Sequence, residues 1–100
     1  MIFNVSAFHP FDSREEDVLS FRFSYNANAV ADLKYSLEKY KQLCFERSGQ
    51  KTAGAWLSDY QCWFVEPCIY QEVKGYLEFR DHWFHLDEFA EQVLFLTGGG

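Results

Sequence analysis

The sequence predicts an α+β domain, a small antiparallel sheet with helices packed on one face, in the order β-α-β-β-α-α. Three patterns predict it. Phe21, Phe23 and Tyr25 alternate with Arg22 and Ser24, the period of a strand with one buried face. Val30, Leu33, Leu37, Tyr40 and Cys44 recur at three- and four-residue spacing, the period of an amphipathic helix. Two short aromatic runs on either side of Ser58-Asp59-Tyr60 read as a tight hairpin.

Taken in order, residues 1–20 read as an N-terminal extension in which Ile2, Phe3 and Val5 can add a strand, followed by a polar run from Ser13 to Asp17. The strand over 21–25 leads to Asn26 or Asn28, either of which can cap the next helix by accepting a backbone N–H. That helix extends to about Phe45, and its polar face presents Lys34, Glu38 and Lys41, with Glu38 four residues after Lys34. Residues 47–54 have the turn chemistry of a loop. Ala55-Trp56-Leu57 and Gln61–Val65 form the hairpin strands, with Trp56 and Trp63 as large sheet-face residues. Pro67 suits a first helical turn, and Ile69, Val73, Tyr76 and Leu77 mark the helix that begins there. After a break at Arg80-Asp81-His82-Trp83, Asp87 can cap a last helix that turns Phe89, Ala90, Val93 and Leu94 inward. Residues 97–100 read as a flexible tail, and the whole of 1–100 as one domain.

Composition supports a packed core. Of 100 residues 48% are hydrophobic and 20% aromatic, enough for a short chain to bury a core and too apolar for disorder. Two prolines, six glycines and no internal period exclude collagen-like and repeat classes. No stretch approaches the roughly 18 apolar residues of a membrane span, and the start has no basic segment followed by an apolar one, so a cytoplasmic protein without membrane contact is expected. Cys44, Cys62 and Cys68 are odd in number and widely spaced, which suits reduced thiols acting as small buried hydrophobes.

The net charge of −6 is unevenly spread. Between residues 34 and 51, Lys34, Lys39, Lys41, Arg47 and Lys51 outnumber Glu38 and Glu46, whereas acidic residues dominate 1–17 and 66–91. A basic face on an acidic body follows, and any nucleic-acid binding is expected to be local and salt-sensitive. The same charges also serve as a solvated face that keeps an aromatic-rich domain soluble.

Few residues suggest catalysis. His82 and His85 stand near Asp81, Asp87 and Glu88, but lack the four-ligand spacing of a zinc site, so no metal is expected. Gly49, Gly54 and the terminal glycines match no phosphate-cradling motif, so neither nucleotide nor other cofactor is expected. A small hydrolase using His82, His85 or Cys68 has no local signature behind it, and the expectation is a non-enzyme. Two binding surfaces remain. Lys34, Lys41, Arg47 and Lys51 beside Trp56 and Trp63 have the makings of a base-stacking platform with phosphate contacts, with burial of both tryptophans in the core as the competing reading. Trp83 and Phe84 with Glu88 and Glu91 make the second candidate, a surface for a protein partner or a homodimer.

One resemblance covers residues 21–77. The run Phe21-Arg22-Phe23-Ser24-Tyr25-Asn26, then Val30 and Leu33-Lys34, then Trp56, Trp63-Phe64-Val65, Tyr70 and Val73, resembles the HARP domain of annealing helicases. The damage-recognition domain of repair helicases is similar. The resemblance implies a module that contacts single-stranded or branched DNA, with Lys34, Trp56 and Trp63 at matching positions. Gln61-Cys62 stands where that family tends to be basic, and the first helix and loop are longer here. Without a motor, a stand-alone copy would be an accessory DNA-binding factor.

Overall fold

A computed structural model describes residues 1–97. The expected tail over 98–100 lies outside the described residues, and Thr97 is the last residue of a helix. The chain runs β1 (Ile2–Phe8), β2 (Val18–Arg22), α1 (Ala27–Lys39), α2 (Lys41–Ser48), β3 (Gly54–Leu57), β4 (Cys62–Val65), a 3-10 turn (Pro67–Ile69), α3 (Tyr70–Phe79), β5 (Trp83–Leu86) and α4 (Glu88–Thr97). The α+β class is as expected, with a sheet ordered β3-β4-β2-β1-β5. Its β1–β2, β2–β4 and β3–β4 pairings are antiparallel, and β5 joins β1 in parallel, which makes the sheet mixed.

Strand register divides the sheet into two faces. Phe3 and Val5 of β1, Leu19 and Phe21 of β2, Val65 of β4 and Phe84 of β5 share one side, and the helices pack there. Leu33 and Leu37 of α1, Val73 and Leu77 of α3, and Ala90, Val93 and Leu94 of α4 close a continuous core over them. Aromatic rings fill its centre. Phe3 stacks on Phe84 at 5.5 Å and meets Phe23 edge-on at 4.6 Å, arrangements that add to what area burial alone supplies. The opposite face carries Asn4, Ser6, Ser20, Arg22 and His85. Residues 9–17 return over part of that face, where Phe11 sits edge-on against Phe64 at 4.9 Å and Arg14 forks onto Glu66 at 2.8 and 3.0 Å.

Five expectations change. Residues 1–20 are no extension, because β1 lies inside the sheet between β2 and β5. The second strand is 18–22 rather than 21–25: Val18, Leu19, Ser20 and Phe21 are all fully buried, so both faces are covered and no alternation marks it. Phe23 and Tyr25 alternate in the sequence but leave the sheet, with Tyr25 83% exposed. The long helix is two, bending at Tyr40, so that α1 faces the sheet while Cys44 of α2 turns toward the 3-10 turn. Within α1 the buried Ser36 hydroxyl donates back to the Leu33 carbonyl, a bond that favours bending. The break at 80–83 is followed by β5, only four residues long, and Phe89 of α4 points outward.

The caps follow the sequence. Asn26 accepts from the Ala29 N–H at 3.0 Å, and Asp87 from the Ala90 N–H at 2.9 Å. Pro67 opens the 3-10 turn before α3. Among the described residues no helix is long and apolar enough to cross a membrane.

Candidate nucleic-acid interface

The hairpin positions the tryptophans. Ser58–Gln61 reverse the chain, with the Tyr60 N–H on the Leu57 carbonyl and the Gln61 N–H on the Ser58 carbonyl. Gln61 takes a left-handed backbone, φ 52°, and its side-chain amide donates to the Ser58 carbonyl at 2.6 Å. This turn sets the register that places Trp56 directly opposite Trp63, with ring centres 5.9 Å apart and planes tilted by 63°. Trp63 is partly buried against the core. Trp56, on the edge strand, is 47% exposed.

Gly54 brings the hairpin under α1. A Cβ there would lie 2.3 Å from the Phe64 carbonyl oxygen of β4 and 3.0 Å from a Leu37 methyl of α1, so any other residue would collide with the hairpin's own backbone and crowd the helix above it. As a result Lys34 and Lys41 overhang the tryptophans and share with them a groove of about 560 Å³. A neighbouring hollow of about 670 Å³ adds Lys39 and Lys51. The charged residues lining the two are Lys34, Lys39, Lys41, Lys51 and Glu38. On the other side, the tryptophan pair also lines an aromatic recess of about 310 Å³ with Phe23, Tyr25 and Arg22. The indoles thus form a partition between a cationic groove and an aromatic one.

Four of the six expected nucleic-acid contacts, Lys34, Lys41, Trp56 and Trp63, meet in one groove. Lys51 lines the adjoining hollow with Lys41. Arg47 is elsewhere: it pairs with Glu72 at 2.6 Å and donates to the Cys68 carbonyl at 2.7 Å, tying α2 to the start of α3. Lys39, Arg22, Phe23 and Tyr25 were not among the expected contacts. Lys39 could have been suspected from its neighbours, since its ammonium lies 5.6 to 6.0 Å from the Tyr40, Tyr76 and Tyr35 rings.

The second expected surface divides. Trp83 and Phe84 fall on opposite faces of β5, as successive strand residues must. Phe84 belongs to the core, against Phe3, Phe21 and Tyr70. Trp83 is 67% exposed beside Ile2, and Glu88 and Glu91 are exposed on α4 with Phe89 and Phe95.

The histidines also part. His82 is buried, with its Nε2 2.8 Å from an Asp32 carboxylate oxygen on α1. Arg80 reaches the other Asp32 oxygen at 3.3 Å, so this cluster fastens α1 to the end of α3. Asp81 between them has a left-handed backbone, φ 65°. Its N–H bonds the Glu78 carbonyl and the next N–H bonds Leu77, which closes α3 in a Schellman turn. His85 is exposed on the opposite side of the sheet. Among the described residues no three His, Cys, Asp or Glu side chains gather as a metal set.

Comparisons with family models, curated proteins and solved structures found no match to this chain.

Proposed function

We propose that this domain is a non-enzymatic accessory module that binds single-stranded or branched DNA through the groove between α1 and the β3–β4 hairpin. The observation that carries the reading is the meeting of Trp56 and Trp63 with Lys34 and Lys41 around one groove. Bases stack on indoles regardless of sequence, and ammonium groups beside them neutralise the phosphates that link the bases. The half-exposed Trp56 offers a ring face, and Tyr25, 83% exposed in the adjoining recess, offers a second. The resemblance to the HARP domain points to three of these residues, Lys34, Trp56 and Trp63. Because the whole chain carries −6, binding rests on the local lysines and weakens steeply with salt. Three free cysteines fit a reducing, cytoplasmic setting.

Two substitutions test the site. Trp56→Ala should weaken binding of a short single strand by about 5- to 150-fold, the range of one lost stacking contact. Lys34→Ala should flatten the dependence of log affinity on log salt by about 0.7. Parent-like affinity and salt slope in both folded variants would place any binding elsewhere.

Exposed Trp83, Phe89, Phe95 and Leu96 support a second reading, an acidic surface that takes a protein partner or a second copy. A sedimentation series over a hundredfold concentration range tests self-association, and a constant monomer mass would remove it.

A further inference from the structure

Away from the groove, two cysteines distant in sequence meet where α2 packs against the 3-10 turn. The sulfurs of Cys44 and Cys68 lie 3.7 Å apart. Cys44 is fully buried and burial pushes its thiol up to about 11, so it stays protonated and out of reach of solvent reagents. Cys68 is partly exposed, and its sulfur is aimed at Cys44, with the Cys44 carbonyl oxygen 4.0 Å away. The third thiol, Cys62, is buried on the opposite face of the sheet near Arg22. One cysteine is therefore accessible, a second stands behind it within reach, and a third is separate from both.

We propose that Cys68 and Cys44 form a two-thiol oxidation site for hydroperoxides, with Cys68 as the attacking sulfur and Cys44 as the resolving one. In the first step the Cys68 thiolate attacks one peroxide oxygen. The S–O bond forms as the O–O bond breaks, and the departing oxygen takes up a proton and leaves as water or an alcohol. Cys68 is then a sulfenic acid. In the second step the Cys44 sulfur attacks the Cys68 sulfur, the S–S bond forms and the S–O bond breaks, and hydroxide leaves with the Cys44 proton as water. Two thiols have lost two electrons to one peroxide. Closing the sulfur gap to a disulfide length requires an approach of about 1.6 Å, within the reach of side-chain rotation at the less buried Cys68.

The bridge would span 24 residues of chain that include the whole β3–β4 hairpin. Oxidation thus restrains the segment bearing Trp56 and Trp63 in the unfolded chain and raises the melting temperature, by roughly 15 °C for a loop of this length. The site stands on its own geometry and does not depend on the DNA-binding reading.

The test is oxidation of the purified, reduced protein with a small excess of hydrogen peroxide, followed by thiol titration, intact mass and peptide mapping. Titrated after denaturation, the free thiols should fall from three to one. The monomer should lose about 2 Da and yield a peptide linking Cys44 to Cys68, all reversed by dithiothreitol. Cys44→Ser should leave Cys68 as a dimedone-reactive sulfenic acid with no internal bridge, and Cys62→Ser should bridge as the parent does. Three persisting thiols, a bridge that includes Cys62, a disulfide-linked dimer, or over-oxidation of Cys68 without a bridge would each overturn the assignment. The parent and the Cys62→Ser results decide the matter even if Cys44→Ser does not fold.

Discussion

Replacing Arg14 with Met should destabilise the domain sharply. The Arg14 guanidinium donates to both Glu66 oxygens, at 2.8 and 3.0 Å, and these hydrogen bonds hold its pKa above the ordinary arginine value despite partial burial. The Glu66 side chain is only 3% exposed and that of Arg14 17%, so the substitution leaves a carboxylate desolvated and unpaired. Breaking a buried pair on one side costs about 3–5 kcal/mol, and the residual exposure of Arg14 places this case near 3. For a domain of this size, about 3 kcal/mol corresponds to a fall in melting temperature of roughly 12–20 °C. Urea and thermal unfolding followed by tryptophan fluorescence would measure it. Adding Glu66→Leu to Arg14→Met should restore at least about half of the loss, because no charge then remains to be desolvated. A loss below about 1 kcal/mol for Arg14→Met, or a double variant less stable than the single one, would refute the reasoning.

Other substitutions test other parts of the fold. Gly54→Ala should cost about 1–3 kcal/mol or more, because its Cβ meets the Phe64 carbonyl at 2.3 Å; an unchanged urea midpoint would mean that the two hairpin strands do not meet as closely at Gly54 as described. Tyr70→Phe should be neutral or stabilising by up to about 1 kcal/mol, since the buried hydroxyl has no partner among the described residues and burial pushes its ionisation far above the ordinary phenol range; a clear loss of stability would reveal a partner. Asp87→Ala should cost about 1 kcal/mol at neutral pH. Burial acts to raise the Asp87 pKa, but bonds from the Ser6 hydroxyl and the Ala90 and Phe89 N–H groups, with the nearby His85, outweigh it and hold the carboxyl below its usual range. A depressed folded pKa stabilises above the unfolded value and is lost as pH falls through the folded one, so the gap between parent and Asp87→Ala should narrow from about pH 5 to pH 2. A gap constant over that range would contradict the assigned charge.

Local signals in the sequence located most elements but not their partners. Strong period-3.6 spacing, the Asn26 and Asp87 caps, Pro67 and the hairpin turn each depend on neighbours within a few residues, and each stands in the structure. β2 was placed three residues late because a strand buried on both faces shows no alternation, and β5 escaped because four residues pairing in parallel with a distant strand carry little local pattern. The Phe84/Leu86 alternation against Trp83 and His85 was its one trace. Four of the groove residues were visible as lysines and tryptophans in neighbouring segments. Their assembly depended on Gly54, whose close approach to Leu37 has no signature except the glycine itself. That Arg47 turns to Glu72 and away from the groove was not legible because the pairing spans elements, as do the Arg14–Glu66, Asp32–His82 and Cys44–Cys68 contacts. Such pairings lie beyond the reach of spacing.

The most direct test of DNA binding in the Trp56 groove is fluorescence anisotropy of labelled single-stranded and forked DNA, titrated at about 50 and about 200 mM salt with the protein's own tryptophan emission followed. Contacts from Lys34 and Lys41, or from all four lysines lining the two hollows, predict a loss of affinity of about 7- to 50-fold between the two salts. Quenching of tryptophan should track saturation, and Trp56→Ala should abolish most of it. No anisotropy change at the lower salt, or binding that leaves tryptophan emission and salt dependence flat, would contradict it.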